Sequence, residues 1–403
     1  MDEAELLCYA AIALLAKKKR KKRSMWTKEW LQKRNHYSHT NLLEELRLFP
    51  RDWFNYLRMT EVVYLNLLKL VTPMIEKRST NMRESISPHE RLSATLRFLA
   101  TGRNYEDLKY STLISPQALG RIIPETCAAI LDALKDYYKF PQDEQDWLDI
   151  ARGFEQRWNF PHCLGATDGK HVAIKPPPGA GSYFRNYKGF DSQVLLGIAN
   201  SNYEFIYFSY GINGRVSDGG VFQYSDIYRK LHEKTLKLPN PSEVNGCVLP
   251  YVFIGDEAFS LTPEFMKPFR QNLLNVERRV YNYRLSRARR IIENVFGILV
   301  NRFKVLESKI IVDIENNKPI VLACCALHNY LRRVTPSTYS PPESYGVEDI
   351  STGEITTGLQ TRDDMSLQHN RRGNINQTAS HIRNLFVDYF NNAGQVPWQE
   401  RFI

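Results

Sequence analysis

CLGATDGKHVAI, residues 163–174, is where the texture of this chain changes. Upstream, apolar residues recur at helical spacing. From Phe160 onward, short β-branched and aromatic runs bounded by Gly, Asn and Asp replace them, which is the pattern of strands. The stretch itself reads as two short strands, 163–166 and 171–174, with Asp168 presented after the first. Further strands are expected at 193–199, 204–210 and 248–254, with a hairpin turn over 200–203. Helices are expected at 220–231, 284–303 and 313–332. Neighbouring strands with later helices packed on them make a mixed α/β sheet.

Working outward toward the N-terminus, the chain reads as all-helical. Ser87-Pro88-His89-Glu90 supplies an N-cap, a proline at the first helical position and an acid in the first turn; its helix stops at Gly102. A short helix follows over 105–110. Ser115-Pro116 repeats the start signal for a longer helix, 117–135, expected to kink or break at Pro124. Three helices with short turns suit a helix-turn-helix, in which Gln117 and Arg121 would enter the major groove. Working outward toward the C-terminus, 335–379 is rich in Ser, Thr, Pro, Gly and charge and reads as a linker. An amphipathic helix over 380–391 and the segment Val396-Pro397-Trp398 are expected to dock back on the fold. The expected division is therefore a basic segment 1–25, a helical domain 26–158, an α/β core 159–334, a linker 335–379 and a C-terminal helix and tail 380–403.

The 403 residues carry 54 basic and 44 acidic side chains, a formal charge of +10, and the distribution says more than the sum. KKKRKKR, residues 17–23, contributes +7, and 265–304 contributes +8, leaving the remainder acidic. The first run resembles a nuclear-import signal, so the nucleus is the expected location, with the cytoplasm as a second one. The apolar run 6–16 is about half of the ~20 residues that span a bilayer, so no membrane anchor is expected. Six cysteines show neither CxxC spacing nor a disulfide framework, which fits a reducing compartment. Cys324, Cys325 and His328 lie in an apolar helical run and read as packing rather than metal ligation.

Three carboxylates stand where elements would present them outward: Asp168, Asp256 after Val252-Phe253-Ile254-Gly255, and Glu293 in the helix expected from Arg284. On that helix Ile292, Val295, Phe296 and Leu299 form the core side. Ser286, Arg289, Glu293, Gly297 and Val300 fall within roughly 40° of one line. Single acids from separate elements are how hard divalent ions such as Mg²⁺ are held, because such ions keep waters and phosphate oxygens in their shell. Arg284, Arg287, Arg289 and Arg290 would then neutralise phosphate charge on an approaching DNA strand.

The segments GATDGKHVAIKPP (165–177), NYKGFDSQVLLGIAN (186–200), GRVSDGGVFQYSDIY (214–228), VFIGDEAF (252–259) and YNYRLSRARRIIENVFGILVNRFKVL (281–306) resemble, in order, the motif set of the PIF/Harbinger transposase superfamily. CCALHNYL (324–331) and VPWQ (396–399) are similar to its trailing pattern. The resemblance implies an RNase H-like core with Asp168, Asp256 and Glu293 as the DDE acids and Asp218 as an additional metal-site acid. It departs from the family at Ser217, where a His is usual, and at Glu257, where a Gly is more frequent. It further implies Mg²⁺ or Mn²⁺ as cofactor, transposon ends and target DNA as substrates, a Myb/SANT-like accessory protein, and a homodimer or larger assembly. Two other readings stand beside a transposase: a domesticated nuclease without transposition, and a non-catalytic nuclear DNA-binding regulator. Retention of every expected acid argues against the last, since a binding module has no need of carboxylates beside phosphate.

Overall fold

The computed structural model describes residues 28–79, 84–341, 347–348, 352, 355–356 and 376–403. The basic run 17–23 and most of 342–375 lie outside the described residues. Within them, the chain forms a helical N-terminal half and a five-stranded mixed sheet flanked by helices, an RNase H-like α/β core.

The N-terminal half contains α1 (His39–Leu46), α2 (Pro50–Leu57), α3 (Glu61–Ile75), α4 (Pro88–Thr101), α5 (Tyr105–Thr112) and α6 (Pro116–Ala133), followed by α7 (Glu144–Trp158). Ser87 and Glu90 close a reciprocal capping box on α4, and Gly102 ends that helix at φ 66°, a conformation that costs glycine nothing. The α4–α5–α6 succession has the short turns expected of a helix-turn-helix. In contrast to the expected break, α6 runs continuously through Pro124. The helix α7, anchored by buried Trp147 and Phe154, has no counterpart in the elements expected from the sequence.

The sheet contains β1 (Cys163–Ala173), β2 (Ser192–Ala199), β3 (Phe205–Asn213), β4 (Val252–Ile254) and β5 (Phe265–Met266), in the order β3-β2-β1-β4-β5. β1 is antiparallel to β2 and parallel to β4. Two expectations are corrected here. The pair of short strands around Asp168 is one continuous strand, because Thr167, Asp168 and Gly169 all pair with β2 residues Ile198, Gly197 and Leu196. The strand expected over 248–254 is two pieces: Cys247–Leu249 pairs with Ser242–Val244 in a separate hairpin, and only Val252–Ile254 enters the main sheet. Pro250 lies between the two pieces and lacks the amide hydrogen that a ladder needs.

The helix expected over 220–231 is likewise two, α8 (Asp218–Gln223) and α9 (Asp226–His232). The long helix α10 (Val276–Arg302) starts two turns earlier than the expected Arg284, capped by Asn275. It lies on the sheet with α11 (Ile314–Val334) and the C-terminal α12 (Gln377–Asn391). Residues of α3, α4, α6, β1, α10, α11 and α12 belong to one continuous apolar cluster, so the helical half and the sheet share a core. The start of the expected linker is also structured. Tyr339, in the turn Pro336–Tyr339, is fully buried, its hydroxyl 2.9 Å from His328 Nδ1.

Candidate active site

The site begins with register. Ala166 of β1 pairs in parallel with Ile254 of β4, and each is followed two residues later by an acid, Asp168 and Asp256. Strand side chains alternate with a period of two, so Asp168 falls on the face of Ala166, and Asp256, two residues past the end of β4, lies near enough for its charge to act on Asp168. β4 ends at Ile254, which leaves the edge of β1 beside Asp168 without a paired strand among the described residues. Asp168 thus lies inside a strand, where its neighbour stops, rather than at the strand end the sequence suggested. Gly169 donates its N–H to Asp168 Oδ1 at 2.8 Å, and Ala258 donates to Asp256 Oδ1 at 2.9 Å, so both carboxylates are oriented by backbone.

Two glycines let other elements approach these acids. Gly197 pairs directly with Asp168, and a Cβ there would lie 2.7 Å from the Phe205 ring and 3.1 Å from the Phe296 ring. The missing side chain is what lets α10 seat Phe296 on this part of the sheet, bringing Glu293, one turn earlier, to the acid face. Gly255, just before Asp256, is approached so closely by Phe259 and Phe265 that a Cβ would meet them at under 3.0 Å.

Arg289 forms an ion pair with Glu293 one turn along α10. Burial pushes the Asp168 carboxyl up to about 7; Arg289 opposes this, while Asp256 and Glu293 add to it. Burial likewise raises Asp256, again opposed by Arg289. Arg289 therefore acts on three carboxylates, with Lys267 a second cation near Asp256. The donors are all carboxylate oxygens, the set that suits Mg²⁺ or Mn²⁺, so the residues present fit a divalent cation. Nowhere among the described residues are three metal-ligating side chains already gathered into a cage. Asp218 is the first residue of α8, which packs against β1 and β2.

Lys267, which the sequence reading passed over, is part of this site. It follows β5, and its Nζ donates to the carbonyls of Glu257 (2.9 Å) and Phe259 (2.6 Å), bracing the turn that carries Asp256. Glu257 itself turns to Arg270 at 3.2 Å. No spacing rule links Lys267 to Asp256; only the parallel β4–β5 pairing does.

The arginines expected to meet DNA divide. Arg284 and Arg287 are buried at 1% exposure each, which removes them from any DNA surface. Arg284 donates to the Gly394 carbonyl (2.9 Å) and Gln399 Oε1 (3.0 Å) and also to the Asn159 carbonyl. Arg287 donates to the Trp158 carbonyl (3.1 Å) and Asn159 Oδ1 (2.7 Å). Both guanidinium groups lie over aromatic rings, Arg284 on Phe390 and Arg287 on Trp158 and Trp398. Arg289 is engaged with the acids, and Arg290 is half-buried. Gln117 and Arg121 are exposed on α6, where Arg121 lines an open cleft with Lys77, Arg78, Arg91 and Glu125.

Residues 167–329 match the DDE superfamily endonuclease family, so this part of the chain is a DDE endonuclease domain. The chain is 26% identical over 284 residues to the Homo sapiens protein named "Putative nuclease HARBI1", covering 70% of this chain and 74% of that one. It is 25% identical to the Bos taurus protein of the same name, over 74% and 80% of the two chains. A third relative, "Protein ALP1-like" of Arabidopsis thaliana, is 22% identical over 70% and 71%. The Homo sapiens and Bos taurus relatives place the chain among proteins similar to Harbinger-derived DDE nucleases. No solved structure matches it.

Proposed function

We propose that this protein is a metal-dependent DNA endonuclease in which Asp168, Asp256 and Glu293 hold Mg²⁺ or Mn²⁺ against a phosphodiester, with Asp218 as a further ligand. The single observation that carries the reading is the Ala166↔Ile254 register, which sets Asp168 and Asp256 side by side beneath the Glu293 helix with Arg289 among them. When bound, divalent ions supply charge neutralisation on the phosphate and activate the attacking oxygen. The chain's own contribution is to fix the acids. The Gly169 and Ala258 amides aim two of them, and Lys267 braces the turn of the second. Arg289 holds Glu293 in an ion pair.

Water attack on the DNA strand leaves a 3′-OH, and in a transposase that hydroxyl then joins target DNA. Gln117, Arg121 and the basic cleft beside α6 are the proposed contacts to the flanking duplex. The run KKKRKKR is the proposed nuclear-import signal, and a homodimer with a Myb/SANT-like accessory protein is the proposed assembly.

The test is cleavage of supercoiled and terminal-repeat DNA with Mg²⁺, Mn²⁺ or EDTA, beside Asp168→Ala and Glu293→Ala. Metal-dependent nicking that both variants lose supports the nuclease, and joined products add strand transfer. Hydrolysis without joining identifies a domesticated nuclease. Absence of cutting by folded protein, with or without an accessory factor, would leave the DNA-binding regulator as the reading.

A further inference from the structure

The connection between β1 and β2, residues 174–191, is long, has neither helix nor strand, and is nevertheless tightly built. Long structureless loops in a compact domain are more often functional than incidental. Asn186 is its pivot. The Asn186 side chain is buried, accepts the N–H groups of Lys188 (3.0 Å) and Phe190 (3.2 Å) on Oδ1, and donates from Nδ2 to Ser192 Oγ (3.1 Å). Ser192 Oγ is also 2.9 Å from His171 Nδ1, and the Ser192 N–H donates to the Phe184 carbonyl at 2.9 Å. Phe184 is buried beneath. With these groups turned inward, the loop turns outward two aromatic rings, Tyr183 (57% exposed) and Tyr187 (38% exposed), and the cations Lys175, Arg185 and Lys188. Lys188 Nζ lies 5.5 Å from the Tyr187 ring centroid. Asp191 is the only acid in the stretch.

One strand, β1, links the acids to this loop. β1 carries Asp168 and, on the same face one pleat further, half-buried Lys170. The strand reaches the loop at Ala173, five residues and about 17 Å from Asp168 at the usual rise. That is about five base steps of duplex DNA along its axis, and fewer nucleotides of an unpaired, more extended strand. Between the end of β4 and the bridge from Ile174 to Ile310, this edge of β1 carries no paired strand among the described residues. Exposed aromatic rings interleaved with cations are the arrangement that grips unpaired nucleotides, by stacking on base faces and neutralising the backbone.

We infer that residues 174–191 form a platform for unpaired DNA nucleotides flanking the cleaved phosphate, with Tyr183 and Tyr187 stacking bases and Arg185 and Lys188 holding the backbone. The inference rests on reading Asp168 as part of the nuclease site, but it is tested by binding, without cutting. Fluorescence anisotropy of the full chain, with no divalent metal added, compares a blunt duplex with a splayed fork of the same sequence. Wild type should prefer the fork, and Tyr183→Ala/Tyr187→Ala should lose that preference by at least about fivefold. Tyr183→Phe/Tyr187→Phe, which keeps both ring faces, should retain it. Lys188→Ala should lower the dependence of fork affinity on salt by about 0.7 in log–log slope. Equal wild-type affinity for fork and blunt duplex overturns the inference. So does a fork preference unchanged in the alanine pair at unchanged melting temperature. If the alanine pair does not fold, the inference fails when the phenylalanine pair loses the preference or when Lys188→Ala leaves the salt slope unchanged. Failure of metal-dependent cutting would remove the nuclease reading while leaving fork binding to be judged by itself.

Discussion

Arg284, two and a half turns before Glu293 on α10, donates across 3.0 Å to Oε1 of Gln399, the last residue of the VPWQ motif. The charge of this arginine is spent inside the protein. Burial, helped by neighbouring Arg287, pulls its pKa down to about 10, which still leaves it charged at neutral pH. Because its hydrogen bonds reach the Asn159 carbonyl on one side and the C-terminal tail on the other, it ties the start of the core and the end of the chain to the helix that carries Glu293.

Arg284→Ala is therefore expected to destabilise the fold by about 3 kcal/mol, since it strands buried carbonyl and amide oxygens. Urea denaturation checks the loss. The salt dependence of DNA binding should not move, whereas a phosphate-contacting arginine would lower it by close to one unit. A stable variant with a reduced salt slope would return Arg284 to the DNA surface.

Lys267→Met removes the two hydrogen bonds that hold the Asp256 turn while keeping the length of the side chain. Groups that orient a metal ligand are worth about 10- to 100-fold in affinity. Mn²⁺ titration followed by electron paramagnetic resonance should show a loss of that size, with the thermal midpoint nearly unchanged. Unaltered Mn²⁺ affinity would mean that the turn is held by other contacts.

Asp168 predicts a pH dependence of the metal-free protein. Its folded pKa, about 7, lies above the ordinary 3.8, so protonation favours the native state. The stabilisation from a protonated Asp168 is complete below 3.8 and is lost as pH rises through about 7. At pH 8 without metal, Asp168→Asn should be more stable than wild type by about 2–4 kcal/mol. Melting temperatures measured from pH 4 to pH 8 should converge at the acid end. Added Mg²⁺ should stabilise wild type and leave the variant close to its metal-free value.

His328 acts with the opposite sign. Burial lowers its pKa from 6.5 to about 4, and Tyr339 Oη and the Tyr203 carbonyl lie 2.9 Å and 2.8 Å from its two ring nitrogens. Its stabilising contribution is present above 6.5 and is lost as pH falls toward 4, amounting to about 3 kcal/mol. Acid unfolding monitored by circular dichroism should show this slope between pH 6.5 and 4. His328→Gln, though less stable at pH 7, should show a flatter one.

Much of the framework was legible in local pattern. Ser87 to Glu90 announced an N-cap with an acid in the first turn, which the structure closes into a capping box, and the core stripe Ile292, Val295, Phe296 and Leu299 is buried as the helical period requires. VPWQ was expected to dock, and Trp398 and Gln399 are buried. Errors arose where one stretch obeys a distant partner. Asp168 and Gly169 looked like a break between strands because both residues disfavour strands in isolation, yet pairing with Gly197 and Leu196 carries the backbone straight through them. Arg284 and Arg287 looked like surface cations because charge is seldom buried without partners, and their partners lie more than a hundred residues away in the chain.

The sequence by itself determined the periods and the caps and pointed to the three candidate acids, because each is written in residues close to one another or in an ordered set of motifs. Tertiary structure alone decided how those pieces act together. It brought Asp168 near Asp256 through the parallel register of two strands separated by about eighty residues. It also brought Arg289 among the acids, sent Arg284 to the tail, and closed Lys267 over the Asp256 turn. The physical reason is that helix and strand periods fix which face a side chain occupies, whereas the element that covers that face is chosen by the packing of the whole chain.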